Sequence, residues 1–200
     1  LTPESCRLNH RTELQLWREA TTIFMTAGHG GGAPEGLALS AWQRGFAVTL
    51  YMQCVDTPFI DSVRDPRKKQ VIQLVHEDFV DQIRDTDIAL HSTAISPTQF
   101  QTHLEEGAAL ITLISTWRLN RNKSPHWVFV THSDEQFVYL NDPDIDTDSP
   151  HPLHDNIGLP IRRQSFEQMA CFGASRLKAT LVLQRRTGQA SEKLTDVTPD

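Results

Sequence analysis

The hydrophobic period of this chain changes near Gly107, and that change limits the folds open to it. Upstream, apolar residues recur at helical spacing. Leu14, Leu16, Trp17, Ala20, Ile23 and Phe24 predict a helix over 11–25. The run Ala27-Gly28-His29-Gly30-Gly31-Gly32 breaks that pattern as a loop. Pro34 suits a first helical turn, and Leu37, Ala38, Ala41 and Trp42 extend the helix until Gly45 stops it. Residues 47–53 read as a strand. Asp65-Pro66 then opens a long amphipathic helix to about residue 84. A short strand near 88–91 precedes a helix capped by Ser96-Pro97 and ended by Gly107.

Downstream the runs are short and rich in β-branched and aromatic residues. Strands are expected over 109–116, 126–131, 137–142 and 178–184, with a helix at 164–172 before the last of them. The Asp-, Pro- and His-rich stretch 144–160 reads as an exposed loop. Helices first and strands later argue for an α+β fold rather than a doubly wound sheet. The expectation is an antiparallel sheet, including strand 47–53, packed against the helices at 11–25 and 34–45.

Two hundred residues suffice for one domain with a real core. We place that domain over 1–186 and a polar, disordered tail over 187–200. No apolar run approaches the roughly 18 residues of a membrane span. The net charge is −6 with the acidic residues spread, and the basic groups Arg67-Lys68-Lys69 and Arg162-Arg163 are short. A nucleic-acid surface needs a concentrated basic patch, so nucleic acid and membrane are both discounted as partners. Cys6, Cys54 and Cys171 lack the pairing and spacing of a disulfide framework or a zinc ribbon. A reducing, cytoplasmic setting is expected.

The chemistry concentrates in one hairpin. Two strands flank the polar turn Ser133-Asp134-Glu135. A register centred on Asp134 sets Val130 against Val138, Val128 against Leu140, and His126 against Asp142, all on one face. Trp127, Phe129, Phe137 and Tyr139 occupy the other face, so both sides are expected to be covered. Opposed residues have Cβ atoms about 4.5–5.5 Å apart, close enough for an imidazole to bond a carboxylate. Such a carboxylate fixes the ring's tautomer and leaves the second nitrogen for a nucleophile. The same pair could equally be a structural hydrogen bond, and a one-residue slip would part it.

The segments Pro125-His126-Trp127-Val128-Phe129-Val130 and Tyr139-Leu140-Asn141-Asp142-Pro143 resemble the His/Asp block of the bacteriocin-processing cysteine peptidases. These belong to the papain clan and cleave after double-glycine leaders. Leu16-Trp17-Arg18-Glu19-Ala20-Thr21-Thr22-Ile23-Phe24-Met25 and Gly28-His29-Gly30-Gly31 resemble a bacterial peptidase-like branch, in which an acetyltransferase domain is sometimes attached or neighbouring. The resemblance spans residues 11 to 184. It implies a papain-like fold, a peptide or protein substrate, His126 as catalytic acid/base and Asp142 as its catalytic partner, with no cofactor. The family nucleophile lies in a Cys-Gly-Pro/Ala helix start preceded by a Gln, and neither motif occurs here. The expectation is therefore a fragment or a degenerate relative, lacking its nucleophile helix and inactive alone. The alternative is a peptide-binding module with a papain-like cleft.

Two rivals are weaker. His151 and His154 with Asp142, Asp144, Asp146 and Asp148 could gather a cation only loosely, so no metal is expected. The glycine run 28–32 lacks the Lys-Ser/Thr pair of a phosphate cradle. His29 is expected to stabilise its loop.

Overall fold

The computed structural model describes residues 9–25, 28–54, 56–121, 124–144 and 153–186. The expected tail, Cys6, His151, Asp146 and Asp148 lie outside the described residues.

Helix α1 (His10–Ala20) is capped by Asn9, whose side chain accepts from Thr12 N. It stops at Ala20, short of the expected residue 25, because Phe24–Met25 (β1) and Gly28–His29 (β2) fold into a small antiparallel hairpin. There follow α2 (Pro34–Gln43), β3 (Phe46–Gln53), a 3-10 turn (Ile60–Ser62), α3 (Pro66–Arg84) and β4 (Ala89–His91). Then come α4 (Pro97–Glu105), β5 (Ala109–Ser115), the short α5 (Trp117–Asn120), β6 (Pro125–Ser133) and β7 (Phe137–Asn141). A 3-10 turn (Leu153–Asn156), β8 (Leu159–Arg162), α6 (Arg163–Met169) and β9 (Lys178–Arg185) complete the order. Helix α4 carries a full capping box between Ser96 and Gln99.

Seven strands form one sheet in the order β4-β3-β9-β5-β6-β7-β8. The α+β class holds, with helices packed on a sheet consistent with a papain-like arrangement. Three details differ from expectation. β4 is parallel to β3, as α3 returns the chain by a crossover rather than a hairpin. β8 is a strand inside the stretch read as loop, pairing antiparallel with β7. Helices α4 and α6 also cover the face opposite α2 and α3, beyond the helices expected against the sheet.

Alternation along the strands decides which residue meets which helix. Leu110, Ile114, Val128, Val130, Val138 and Leu140 form one core with Phe100 of α4 and with Phe166 and Met169 of α6. Val48, Leu50, Leu181, Ile111 and Trp127 face the other way, onto Ala38 and Leu39 of α2 and Phe79 and Ile83 of α3. α1 packs on α2 rather than on the main sheet. Gly36 makes that close approach possible, since a Cβ there would lie 2.7 Å from the Ala20 Cα. Glu19 ties the same helices together, its carboxylate accepting from Arg44 Nη1 at 2.7 Å and Ser40 Oγ at 2.8 Å. Hydrogen bonding from Arg44, more than any other contact, holds Glu19 below the usual carboxylate range.

Candidate active site

The turn between β6 and β7 is built by Asp134, which is not its centre. Its Oδ1 accepts from the Phe137 and Gln136 backbone N–H groups, and its Oδ2 from the Tyr139 hydroxyl. These bonds, led by Phe137 N–H, hold the Asp134 carboxyl below its ordinary range.

The resulting register corrects the symmetric one. Ser133 pairs with Val138, three residues from the Glu135 that a turn centred on Asp134 would give it. The ladder then shifts between Val130 and His132, leaving Thr131 as an extra residue on β6. Beyond that bulge Val130 pairs with Leu140 and Phe129 with Asn141. The net displacement is two residues, an even number, so every side chain keeps its expected face.

His126 therefore meets Asp142 diagonally rather than head-on. Its Nε2 lies 2.6 Å from Asp142 Oδ1, and the two side chains are 20% and 17% exposed. Diagonal neighbours are about 7–8 Å apart at the backbone, within reach of an imidazole. Among the described residues, Nδ1 has no hydrogen-bond partner. On its other side His126 pairs with Ile114 of β5, so it stands on a strand bonded along both edges.

Asp142 is held from three directions. Its own N–H donates to Asn156 O at 2.8 Å, and its Oδ1 also accepts from Asp144 N at 2.9 Å. Asn156 Nδ2 donates to Asp144 O at 2.7 Å, and Gly158 N to Asn141 Oδ1 at 2.9 Å. Residues 156–158 thus brace the strand end. Sequence reading missed Asn156, because nothing in a loop-like Asp/Pro/His stretch marks a residue that folds back onto a strand end.

The second face of this hairpin is less covered than expected. Phe129 is 39% exposed, and with Trp17, Leu16, Trp127 and Ile157 it lines an apolar groove of about 600 Å³. The groove borders α1 and ends against Asp142 and Pro143. His126 is not among its lining residues, although its partner Asp142 is.

The glycine run has a different task from phosphate binding. Trp17 Nε1 donates to Gly30 O at 2.9 Å and Trp127 Nε1 to Gly32 O at 3.1 Å. The loop offers its carbonyls inward, whereas an anion cradle needs N–H groups turned to the ligand. A Cβ at Gly30 would lie 2.4 Å from Ile23 N, so only glycine fits. His29 packs edge-on against Trp17, in keeping with a loop-stabilising role.

Of the described thiols, Cys54 follows β3 and packs with Phe59, Leu113 and Ala179, while its Sγ donates to Asp56 O. Leu113 and Ala179 alternate away from His126, so Cys54 is on the opposite face. Among the described residues no group of three or more His, Cys, Asp or Glu side chains could hold a metal ion. No helix among them is long and apolar enough to cross a membrane.

The sequence profile of the Peptidase_C39 like family matches residues 2–184. The chain belongs to that family. His126, Asp142, the glycine run and the Trp17–Ala20 helix end all fall within the matched span. A cysteine peptidase-like relationship is thereby supported over residues 2–184. No curated protein and no solved structure matches the chain.

Proposed function

We propose that this domain is a peptidase-type site of the Cys–His–Asp kind acting on peptide bonds, with His126 as acid/base and Asp142 as the group that orients it. The observation that carries this reading is the use of Nε2 for the carboxylate at 2.6 Å, with Nδ1 unbonded among the described residues. With Asp142 accepting from Nε2–H, the neutral ring presents a lone pair at Nδ1. A thiol placed there would lose its proton to Nδ1 and attack the scissile carbonyl, and the resulting imidazolium would return the proton to the leaving amine. Asp142 stabilises that imidazolium without taking its proton. The bulge at Thr131 and the brace from Asn156 fix both groups on backbone rather than on free loop. A leader-processing substrate, as in the bacteriocin-processing enzymes, is the finer reading carried by the resemblance of the His126 and Asp142 segments.

The 200 residues contain no Cys-Gly-Pro/Ala motif, so we expect the chain alone to leave Gly-Gly peptides uncut. Fusing a family nucleophile helix that carries this motif should yield iodoacetamide-sensitive cleavage, and His126→Ala should abolish it. Turnover by the unextended chain that iodoacetamide blocks would overturn the assignment and direct attention to Cys6.

A second reading has its own support. The open apolar groove beside Asp142 suits a non-catalytic module that holds a peptide for a partner. Peptide binding that survives His126→Ala but is lost on Phe129→Asp, with no cleavage by any fused form, would favour it.

A further inference from the structure

A smaller cavity of about 280 Å³ lies on the sheet face of α4 and α6. Its walls include Ile95, Pro97, Phe100, Phe166 and Ala170, all apolar. The floor carries Thr112 and Thr180, 1% and 4% exposed, with their hydroxyl oxygens 3.2 Å apart. One hydroxyl donates to the other, so the acceptor keeps a proton to give elsewhere.

Two cations line this cavity, and neither meets a carboxylate among the described residues. Arg163 is half-buried and spends its donors on neutral oxygens. Its Nε bonds the Asp134 carbonyl, and Nη2 bonds Gln101 Oε1 at 3.0 Å and Ser133 Oγ at 2.6 Å. Nη1 has no partner among the described residues. Lys178, also half-buried, makes no hydrogen bond or ion pair among them. Glu167, the one carboxylate among these lining residues, is exposed and pairs with neither. The N-terminus of α4 adds its positive end, as Ser96 and Pro97 form part of the wall.

Desolvated cations favour a counter-charge, and apolar walls favour a ligand with an apolar body. The donors on offer are the Nη1 group of Arg163, an ammonium and a hydroxyl, which suit a two-oxygen acceptor.

We propose that this pocket, framed by Arg163, Lys178 and the Thr112–Thr180 floor, binds a small carboxylate with a compact apolar body. The inference is independent of the His126–Asp142 reading, and peptide cleavage plays no part in it. The carboxylate has two possible sources, a free branched acid or the C-terminal residue of a peptide.

Isocaproate and N-acetyl-alanyl-leucine, each with its neutral amide, separate these sources by calorimetric titration of the 200-residue chain. At least one acid should bind saturably, with its amide about tenfold weaker or more. Binding of the free acid alone, or of the dipeptide alone, supports the pocket and assigns the source. Lys178→Met should weaken the acid by a similar factor, and Ala170→Leu should fill the cavity and abolish binding while the charges stay. Circular dichroism of both variants checks that they fold, and Thr180→Val gives a second, milder loss. The proposal is overturned if neither acid binds saturably, if the amides bind as well as the acids, or if folded Lys178→Met and Ala170→Leu both retain full affinity.

Discussion

His126 with Asp142 and His76 with Glu35 are both imidazole–carboxylate pairs, 2.6 Å and 2.8 Å apart. Their surroundings set them different tasks. The first stands at a strand mouth, with both side chains about a fifth exposed and one ring nitrogen unbonded among the described residues. The second joins α2 to α3, with the Glu35 side chain 1% exposed and His76 25%. The Glu35 carboxylate beside it raises the His76 pKa, outweighing the opposite effect of burial, and the charges of Glu77 and Asp56 add to it. The Glu35 carboxylate is shut off from any substrate, so that pair fastens helices together. Distance alone does not separate a catalytic pair from a structural one. The carboxylate does, 17% exposed at Asp142 and 1% at Glu35.

The comparison can be broken most sharply at Asp142. In a thiol-competent fused form, Asp142→Asn should lower kcat/KM by about 10⁴-fold while the urea midpoint barely moves. A loss of stability that matches the loss of activity would make the strand-mouth pair structural as well.

Glu35→Ala should behave in the opposite way. Removing Glu35 leaves a quarter-exposed imidazole that can shed its proton, so the cost should be about 1–3 kcal/mol, measurable by urea unfolding of the unextended chain. A cost under about 1 kcal/mol would mean that α2 and α3 do not depend on the pair.

The pH dependence of stability should sharpen the same contrast. His76 has a raised pKa in the fold, so its stabilising contribution is complete below the ordinary histidine value of about 6.5. It should fade as pH rises through the higher folded value. The stability gap between the parent chain and His76→Gln should therefore narrow from mildly acidic to alkaline buffer. A gap that widens with pH would reverse the assignment.

Trp127→Phe should give the smallest effect. It removes the indole bond to Gly32 O while keeping the ring on its face, at a cost of about 1 kcal/mol. The His126–Asp142 contact should persist, as read from the imidazole nitrogen shifts by NMR. Loss of that contact would show that the glycine loop positions the pair through Trp127.

Much of this arrangement was legible before any coordinates. Periodicity marked α2, α3, α4 and the strands β3, β5, β6, β7 and β9, because each carries its own apolar pattern and punctuation. β8 was hidden in Leu159–Arg162, a four-residue segment with a proline, whose partner strand alone makes it a strand. The Glu35–His76 pair was equally hidden. Glu35 looks like an ordinary first-turn acid of a helix, and its burial follows from where α3 crosses α2.

By itself the sequence determined parity. Strand alternation placed His126, Val128, Val130, Val138, Leu140 and Asp142 on one side, and an even net shift cannot change sides. Only the tertiary structure decided the register, through the Asp134 turn and the Thr131 bulge, each of which inserts residues that a symmetric pairing omits. It also decided which charges lack a carboxylate among the described residues, since Arg163 and Lys178 were brought to one pocket only when two helices closed over the sheet. The physical reason is range. Side-chain direction along a strand is set by the local backbone, whereas burial and pairing depend on groups that the chain brings together from far apart.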